Sequence, residues 1–244
     1  MKLRLLTWNI HKGIGGVDRR YRPERVIAVI EHYRPDIVLL QEVDEGARRS
    51  HFHRQVDLLG EALDMRHRCY GVNVKLRRKG QYGNAILSRW PLADVRNIDL
   101  TIPPKKPRGC LYARCRVRRG KHSRSLILFN FHLGLSGFER SMQMKRFLKS
   151  HPFARFHARS PIVIGGDFND VWGTLGRKLL RPAGFDRSGH MVHTYPAVMP
   201  ARPLDGVFVR GDLASIRCFR SRMKVAREAS DHLPLISDLR MDWA

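Results

Sequence analysis

Residues 161–170 read PIVIGGDFND, and this stretch decides the fold class. Its first half is a short apolar run rich in β-branched residues, which predicts a buried strand over 161–165. Polar groups follow at the carboxyl end of that strand, Asp167 first and Asn169 two residues later. A buried strand needs further layers packed on its faces, so the stretch predicts a layered α/β protein with polar chemistry at one edge of a sheet.

The rest of the chain alternates between short apolar runs and amphipathic segments. A helix is predicted over 23–33: Pro23 suits its first position, and Val26 and Ile30 share one face. Strands outnumber helices, and some pair as hairpins around glycine turns such as 119–121, so a strict βαβ alternation is excluded. Further strands are predicted at 2–8, 36–41, 69–75, 84–88, 94–99, 110–117, 124–132, 204–209, 214–219 and 234–240, and further helices at 55–63 and 138–149.

The 244 residues carry 46 Lys and Arg against 22 Asp and Glu, a formal net charge of +24. This excess attracts polyanions, although an arginine-rich proteome would produce the same composition.

No apolar run reaches the roughly 18 residues of a membrane span, and the first ten residues do not form a secretory signal. The four cysteines contain no CxxC pair, which favours free thiols in a reducing compartment. We therefore expect one monomeric, cytoplasmic domain over residues 1–244.

Polar side chains recur where predicted strands end. Asn9, Glu42 and His132 stand at the ends of three further apolar runs, as Asp167 does in the first. Side chains alternate across a strand, so Glu42 is expected to share the face of Val38 and Leu40.

Two later segments reverse this order. Asp205 precedes the apolar run GVFV, and Asp231 and His232 precede LPLI. If these strands run antiparallel to the others, their starts lie at the same edge as the other strands' ends, and all these groups meet around one cleft. Adjacent residues of a strand face opposite ways, so Asp231 and His232 can both enter the cleft only from the loop before their strand.

Seven segments resemble, in order, the motifs of the endonuclease/exonuclease/phosphatase superfamily, the deoxyribonuclease I-like and exonuclease III-like enzymes. These segments are TWNIHKG (7–13), LLQEV (39–43), YGNAILSR (82–89), NFHLG (130–134), GGDFND (165–170), LDGVFV (204–209) and SDHLPL (230–235). More narrowly, RGCLYAR (108–114) and HLGLS (132–136) are similar to small bacterial members of the group. The resemblance implies a four-layer α/β/β/α sandwich of two mixed sheets with outer helices. It also implies cleavage of a phosphoester with Mg²⁺, for which Mn²⁺ is a plausible substitute.

The resemblance further implies roles for individual residues. Glu42 is expected to bind the metal directly, while Asn9 and Asp231 complete its surroundings. Asp167 is expected to orient or deprotonate the attacking water, and His232 to form a His–Asp pair with Asp205. The remaining expected contacts are Asn169 and His132 at the phosphate, and Tyr82 and Asn84 at the substrate.

Basic residues near Tyr82 suggest further substrate contacts. Lys105, Lys106 and Arg108 lie in one predicted connection, and they would contact phosphates if that loop rims the cleft.

A metal-dependent nuclease acting on DNA, or on RNA, is the leading hypothesis for the function. The alternative is a phosphodiesterase or phosphatase acting on phospholipid headgroups or inositol phosphates. Because the loop 101–109 is polar and basic rather than apolar, it favours nucleic acid. A non-catalytic nucleic-acid-binding module is disfavoured, since the full set of catalytic residue types is present.

Overall fold

The computed structural model describes residues 1–243. The strands are β1 Lys2–Asn9, β2 Ile37–Glu45, β3 His67–Lys75, β4 Gln81–Ser88, β5 Leu92–Asp99, β6 Gly109–Arg119, β7 His122–His132, β8 Ile162–Asp167, β9 Asp186–Arg187, β10 Asp205–Arg210, β11 Leu213–Arg220 and β12 Leu235–Met241. The α-helices are α1 Pro23–Tyr33, α2 Gln55–Ala62, α3 Gly137–Leu148 and α4 Lys224–Ala229. Every predicted strand and helix is present within a few residues. The short elements α4 and β9 were not predicted.

The strands form two mixed six-stranded sheets. One has the order β11-β12-β1-β2-β4-β3, and the other has the order β5-β6-β7-β8-β10-β9. Within them, β1 pairs in parallel with β2 and β7 pairs in parallel with β8, while the remaining pairs are antiparallel. The prediction of two mixed sheets is confirmed.

Alternation along the strands explains why there are four layers. On β2, Leu39 is buried in the cluster between the two sheets, whereas Leu40 packs in an outer cluster with Ile30 of α1. On β7, Leu128 belongs to the central cluster, while Phe129 packs outward against Phe147 of α3, with ring centroids 4.9 Å apart. Each sheet therefore buries both faces, one on the other sheet and one on helices, and the predicted α/β/β/α sandwich is confirmed.

Strand direction brings the predicted polar residues to one edge. Strand β10 is antiparallel to β8, and the first residue of β10, Asp205, pairs with the last residue of β8, Asp167. Strand β12 is antiparallel to β1, and Asp231 and His232 lie on the loop before it. The predicted antiparallel direction of these two strands is confirmed, and so is the predicted position of Asp231 and His232 on the loop before β12. No helix within residues 1–243 is long and apolar enough to cross a bilayer.

The expected orientation of Glu42 is wrong. Val38 and Leu40 pack on the outer face of the sheet, and a β-bulge separates Leu40 from Val43. Glu42 lies in this bulge with a positive φ of 55°, and Val43 takes the outward position that simple alternation assigns to Glu42. A bulge re-aims one side chain at the end of a strand, and here it leaves Glu42 free to face the cleft.

Candidate active site

Asp167 ends β8 and is buried at the base of the cleft. One carboxylate oxygen accepts from the backbone N–H of Asn169 at 3.0 Å, and the other accepts from Asn9 Nδ2 at 3.1 Å. The preceding Gly166 has a φ of 142°, and a Cβ there would lie 2.1 Å from the carbonyl oxygen of Phe131. Only glycine fits this close approach of β8 to β7, which holds Asp167 against the end of β7.

His232 lies between two carboxylates. Its Nδ1 is 2.9 Å from Asp205 Oδ2, and its Nε2 is 3.8 Å from Asp167 Oδ2. The same Asp205 oxygen accepts a hydrogen bond from Thr194 Oγ1 at 2.5 Å. On the other side, the carbonyl of His232 accepts from Trp8 Nε1 at 2.7 Å. These bonds fix the ring, so Nδ1–H points at Asp205 and Nε2 points towards Asp167.

The two carboxylates set the charge of His232. Burial alone would lower the pKa of His232, but the negative charges of Asp205 and Asp167 outweigh it and raise that pKa to about 10. Burial raises the pKa of Asp167 to about 6, which the positive His232 opposes and Asp205 reinforces. At neutral pH the site therefore holds an imidazolium beside a carboxylate that can take a proton.

His132 carries the opposite protonation state. It ends β7, pairs in register with Asp167, and its Nε2 lies 3.7 Å from Asp167 Oδ2. Burial holds its pKa well below the usual value, and the nearby positive charges of Arg108 and His232 lower it further. The two rings both approach one oxygen of Asp167 from beyond hydrogen-bond distance. Since neither Nε2 bonds Asp167 directly, both can contact a water molecule or a phosphate oxygen.

Glu42 faces the cleft from the other sheet. Burial opposes its charge, but the positive charges of His132, when it is protonated, and of Lys12 outweigh burial and lower the pKa of Glu42 to about 2. Lys12 forms an ion pair with the Glu42 carboxylate and lies 5.4 Å from the centroid of the Tyr82 ring. Lys106 lies 5.2 Å from the same centroid. Tyr82 is thus buried beneath cations beside Glu42, at the place where the sequence predicts substrate contact.

The donor chemistry of Glu42, Asn9 and Asp231 suits a hard divalent cation. Asn9 and Asp231 lie close together, because the Asn9 carbonyl accepts from Ser230 Oγ at 2.6 Å. The Glu42 and Asp231 carboxylates and the Asn9 amide supply oxygen ligands of the kind Mg²⁺ prefers. Lys12 already pairs its positive charge with the Glu42 carboxylate, so a cation is favoured at this position.

A second group also has metal-ligand spacing. The ligand atoms of Asp167, Asp205 and His232 all lie within 4.8 Å of one another. The His232–Asp205 hydrogen bond and the raised pKa of His232 put protons on that ring, and a protonated imidazole cannot bind a metal. This group therefore fits a proton-transfer role better than a metal-binding role.

Arg108 supplies a positive charge that forms no ion pair within the described part of the chain. It directly precedes β6, whose first residue Gly109 pairs with His132. The residue is only 7% exposed, and its Nε has no hydrogen-bond partner among residues 1–243. A buried guanidinium without a partner is costly, so this arrangement suits an anionic ligand.

Two predicted residues have additional structural roles. Asn169 lies beside Asp167 with a positive φ of 51°, and its Nδ2 donates to the Leu133 carbonyl at 3.0 Å. Asn84 is fully buried, and its Nδ2 donates across to the other sheet, to the carbonyls of Gly109 at 3.2 Å and Asn130 at 3.1 Å. Its amide is used in packing the sheets together, which corrects the predicted substrate contact of Asn84.

Sequence reasoning assigned no role to two residues that shape the site. Lys12 lies within the quoted segment TWNIHKG, three residues after Asn9, and its charge next to a motif asparagine was a usable signal. Thr194, which bonds Asp205, precedes β10 by eleven residues and has no local pattern that marks it.

A sequence model of the Endonuclease/Exonuclease/phosphatase family matches residues 6–232 of this chain. The chain is 27% identical to the uncharacterized protein YbhP of Escherichia coli K12 over an alignment of 254 positions, gaps included, which covers 98% of this chain and 96% of YbhP. The sequence likeness thus extends over almost the full length of both chains.

Two solved structures extend the likeness to three dimensions. An endonuclease/exonuclease/phosphatase from Beutenbergia cavernae superposes with a TM-score of 0.83 at 23% identity, covering 100% of this chain and 72% of that one. TDP2 of D. rerio, complexed with a single-strand DNA product, superposes with a TM-score of 0.70 at 17% identity, covering 98% and 99% of the two chains. At these identities the likeness carries the fold.

Proposed function

Because the chain belongs to the Endonuclease/Exonuclease/phosphatase family, and is therefore a phosphoester hydrolase, we propose that it hydrolyses phosphodiesters by in-line attack of water. The observation that carries this proposal is the placement of His232 between Asp205 and Asp167, at 2.9 Å and 3.8 Å. With pKa values of about 6 for Asp167 and about 10 for His232, the pair provides a base and an acid at one phosphorus.

The chain's own residues carry the proton transfers. Asp167 orients the attacking water together with Asn169 and accepts its proton. The Nε2–H of His232 donates to a phosphate oxygen on which negative charge accumulates, while Asp205 fixes the ring and stabilises its charge. The bond from phosphorus to the leaving oxygen breaks as the bond from the water oxygen forms, and the leaving oxygen takes its proton from solvent water. His132, held neutral, offers a second donor to the phosphate.

We propose that the reaction depends on Mg²⁺, with Mn²⁺ as a substitute. Glu42 would bind the ion directly, and Asn9 and Asp231 would complete its surroundings. A bound divalent cation neutralises charge that develops on the phosphate in the transition state. The family is metal-dependent, and this donor set of hard oxygens supports the choice of Mg²⁺.

Nucleic acid, DNA first and RNA second, is the substrate that the charge of the chain supports. Arg108 Nε has no partner within residues 1–243, Lys106 covers Tyr82, and the net charge is +24. TDP2, which shares the fold, was solved with a single-strand DNA product. We further propose that the protein acts as a monomer in the cytoplasm.

A second candidate substrate is the phosphodiester of a phospholipid headgroup. It is favoured by exposed apolar side chains around the same cleft, such as Phe138 at 77% exposure. These side chains have no obvious use in hydrolysing a small soluble inositol phosphate.

A substrate panel with an active-site variant tests the proposal. The panel contains supercoiled DNA, single-stranded DNA, RNA, phospholipid vesicles, an inositol phosphate and a generic diester, each with Mg²⁺, with Mn²⁺ and with chelator. We expect metal-dependent cleavage of at least one diester, and a loss of about 10²–10⁴ in rate in Asp167→Asn. Asp186→Asn, an exposed aspartate on β9, is the matched control. Equal rates in Asp167→Asn and wild type, or full activity in chelator, would overturn the mechanism.

A further inference from the structure

Large apolar side chains are exposed around the mouth of the cleft. They lie in the segments that follow β1, β2, β7 and β8 or that precede β10, and their exposed fractions run from 53% at Phe52 to 77% at Phe138. Soluble proteins rarely gather such residues on one face without a binding role. The set comprises Val17, Phe52, Leu135, Phe138, Trp172, Val198 and Met199.

One group, the first flank, consists of Leu135, Phe138 and Trp172. Leu135 lies three residues after His132, and its carbonyl accepts from Arg140 Nη1 of α3 at 2.5 Å. Trp172 lies five residues after Asp167 and lines the same surface cavity as the first turn of α3, which contains Phe138. The first flank therefore lies beside the ends of β7 and β8.

A second group, the second flank, consists of Val17, Val198 and Met199. The neighbouring Gly16 lies directly against Asp231, since a Cβ on Gly16 would come within 2.9 Å of the Asp231 Cα. The backbone N–H of Ala197, next to Val198, donates to the Asp231 carbonyl at 2.7 Å. The second flank is thus anchored at Asp231, whereas the first flank follows His132 and Asp167.

Exposed cations complete the mouth of the cleft. The basic edge is formed by the β3–β4 and β5–β6 loops, and none of its members forms an ion pair within residues 1–243. Lys79 lies 5.2 Å from the centroid of the Phe52 ring, so cationic and apolar groups meet at this edge. The members of the basic edge are Arg77, Arg78, Lys79, Lys105 and Lys106.

We propose that this face docks on an anionic lipid bilayer, with the two flanks inserted among the lipids and the basic edge on the headgroups. Exposed apolar side chains next to unpaired cations match the two layers of such a surface. Single-stranded nucleic acid would also accept the cations, and its bases would stack on Phe138 or Trp172. It has less use for Leu135, Val198 and Met199, which offer no aromatic face, so the aliphatic members favour lipid.

Docking would bring the phosphodiesters of a bilayer to the cleft, and in this respect it rests on the second candidate substrate of the proposed function. Docking itself requires neither turnover nor Asp167. Asp167→Asn is therefore expected to bind vesicles as wild type does, so failure of the hydrolysis proposal and failure of the docking proposal are distinguishable.

The test is sedimentation with vesicles of phosphatidylcholine alone and of an equal mixture with phosphatidylglycerol. We expect wild type to bind the anionic vesicles, and the triple variant Leu135→Ser, Phe138→Ser, Trp172→Ser to bind them at least about tenfold more weakly. The matched control is Val95→Ser with Ile216→Ser, which removes exposed apolar side chains of β5 and β11 outside the mouth. It should bind as wild type does.

Two further readouts separate insertion from simple charge attraction. Trp172 emission should shift to the blue on anionic vesicles, and Trp172→Phe should abolish that shift while still binding. A fluorescent single-stranded oligonucleotide should bind the triple variant within about twofold of wild type, since the cations remain. The proposal is overturned if wild type does not bind anionic vesicles or if the triple variant binds them equally well. It is also overturned if the triple variant loses affinity for the oligonucleotide as strongly as it loses affinity for the vesicles.

Discussion

Asp167 and Asp205 face each other across the antiparallel β8–β10 pair, and the His232 ring lies between their carboxylates. Two buried carboxylates this close would repel each other, and the positive ring makes both tolerable. The same charges raise the pKa of His232 to about 10 even though burial opposes a charged ring. The three groups therefore depend on one another for their protonation states.

Removing the negative charge of Asp205 should uncouple His232. In Asp205→Asn the ring loses the carboxylate that orients it and stabilises its charge, so we expect kcat to fall about 10²–10⁴-fold with KM little changed. The measurement is initial rates on the best substrate of the panel, with circular dichroism to confirm the fold. A variant that keeps more than about a tenth of wild-type kcat would contradict the assigned role.

The edge that holds these residues was predictable because its signals are local. An apolar run followed by Asn9, His132 or Asp167 marks a strand end, and strand direction then follows from the reversed order at Asp205. Glu42 shows where this fails: its orientation depends on a bulge in β2 opposite β4, and no residue pattern in the strand announces the extra residue.

Contacts between distant segments account for the other differences. Asn84 bonds the carbonyls of Gly109 and Asn130 on the opposite sheet, a packing role that its own motif does not reveal. The exposure of Leu135 and Trp172 was likewise unpredictable, since the same side chains in sequence also suit a core. The charge of the chain favoured nucleic acid, and only the three-dimensional placement of the apolar side chains raises the lipid candidate.

Glu42 is expected to control metal binding. Mg²⁺ should raise the melting temperature of wild type, because a ligand that binds only the folded state stabilises it. In Glu42→Gln that increase should disappear and hydrolysis should fall with it. The control is Glu45→Gln on the same strand, where the glutamate pairs with Arg54 instead. A Mg²⁺-induced increase that persists in Glu42→Gln would remove Glu42 from the metal site.

Arg108 should act mainly in binding the substrate phosphate. In Arg108→Ala the buried positive charge is lost, and we expect KM to rise about tenfold or more with a smaller change in kcat. Arg108→Lys keeps the charge without the planar fork and should fall in between. Steady-state kinetics distinguish these effects, with Arg118→Ala, an exposed position on β6, as control. An unchanged KM in Arg108→Ala would place Arg108 outside the substrate site.

An ion pair at the β1–β12 junction should make stability depend on pH. The hydrogen bond from Arg4, together with Arg217, lowers the pKa of Asp238 against the opposing effect of burial. A lowered folded-state pKa stabilises the fold above the unfolded value of about 3.9, and this contribution is lost as pH falls through the lower folded-state pKa. Asp238→Asn should therefore be about 1 kcal/mol less stable at pH 7 and should approach the stability of wild type at about pH 2. Urea unfolding at both pH values checks this, and a constant difference would contradict it.

Asn130 should be among the most costly positions to truncate. Its Nδ2 donates to the carbonyls of Leu40 at 2.8 Å and Ala85 at 2.9 Å, and its Oδ1 accepts from Gln41 Nε2 at 2.7 Å, all between the two sheets. Asn130→Ala removes these three bonds between buried groups, which should cost about 2–4 kcal/mol even though Gln41 Nε2 keeps Thr7 Oγ1 and the Leu39 carbonyl as acceptors.

Urea unfolding measures that cost, with Ser125→Ala as the control. Ser125 is exposed on the same strand β7, so its truncation should change the free energy of unfolding by less than about 0.5 kcal/mol. If Asn130→Ala also changes the free energy of unfolding by less than about 0.5 kcal/mol, the hydrogen bonds of the Asn130 amide do not hold the sheets together. A large loss would instead show that the bonds beneath His132, two residues along β7, stabilise the sandwich at the base of the cleft.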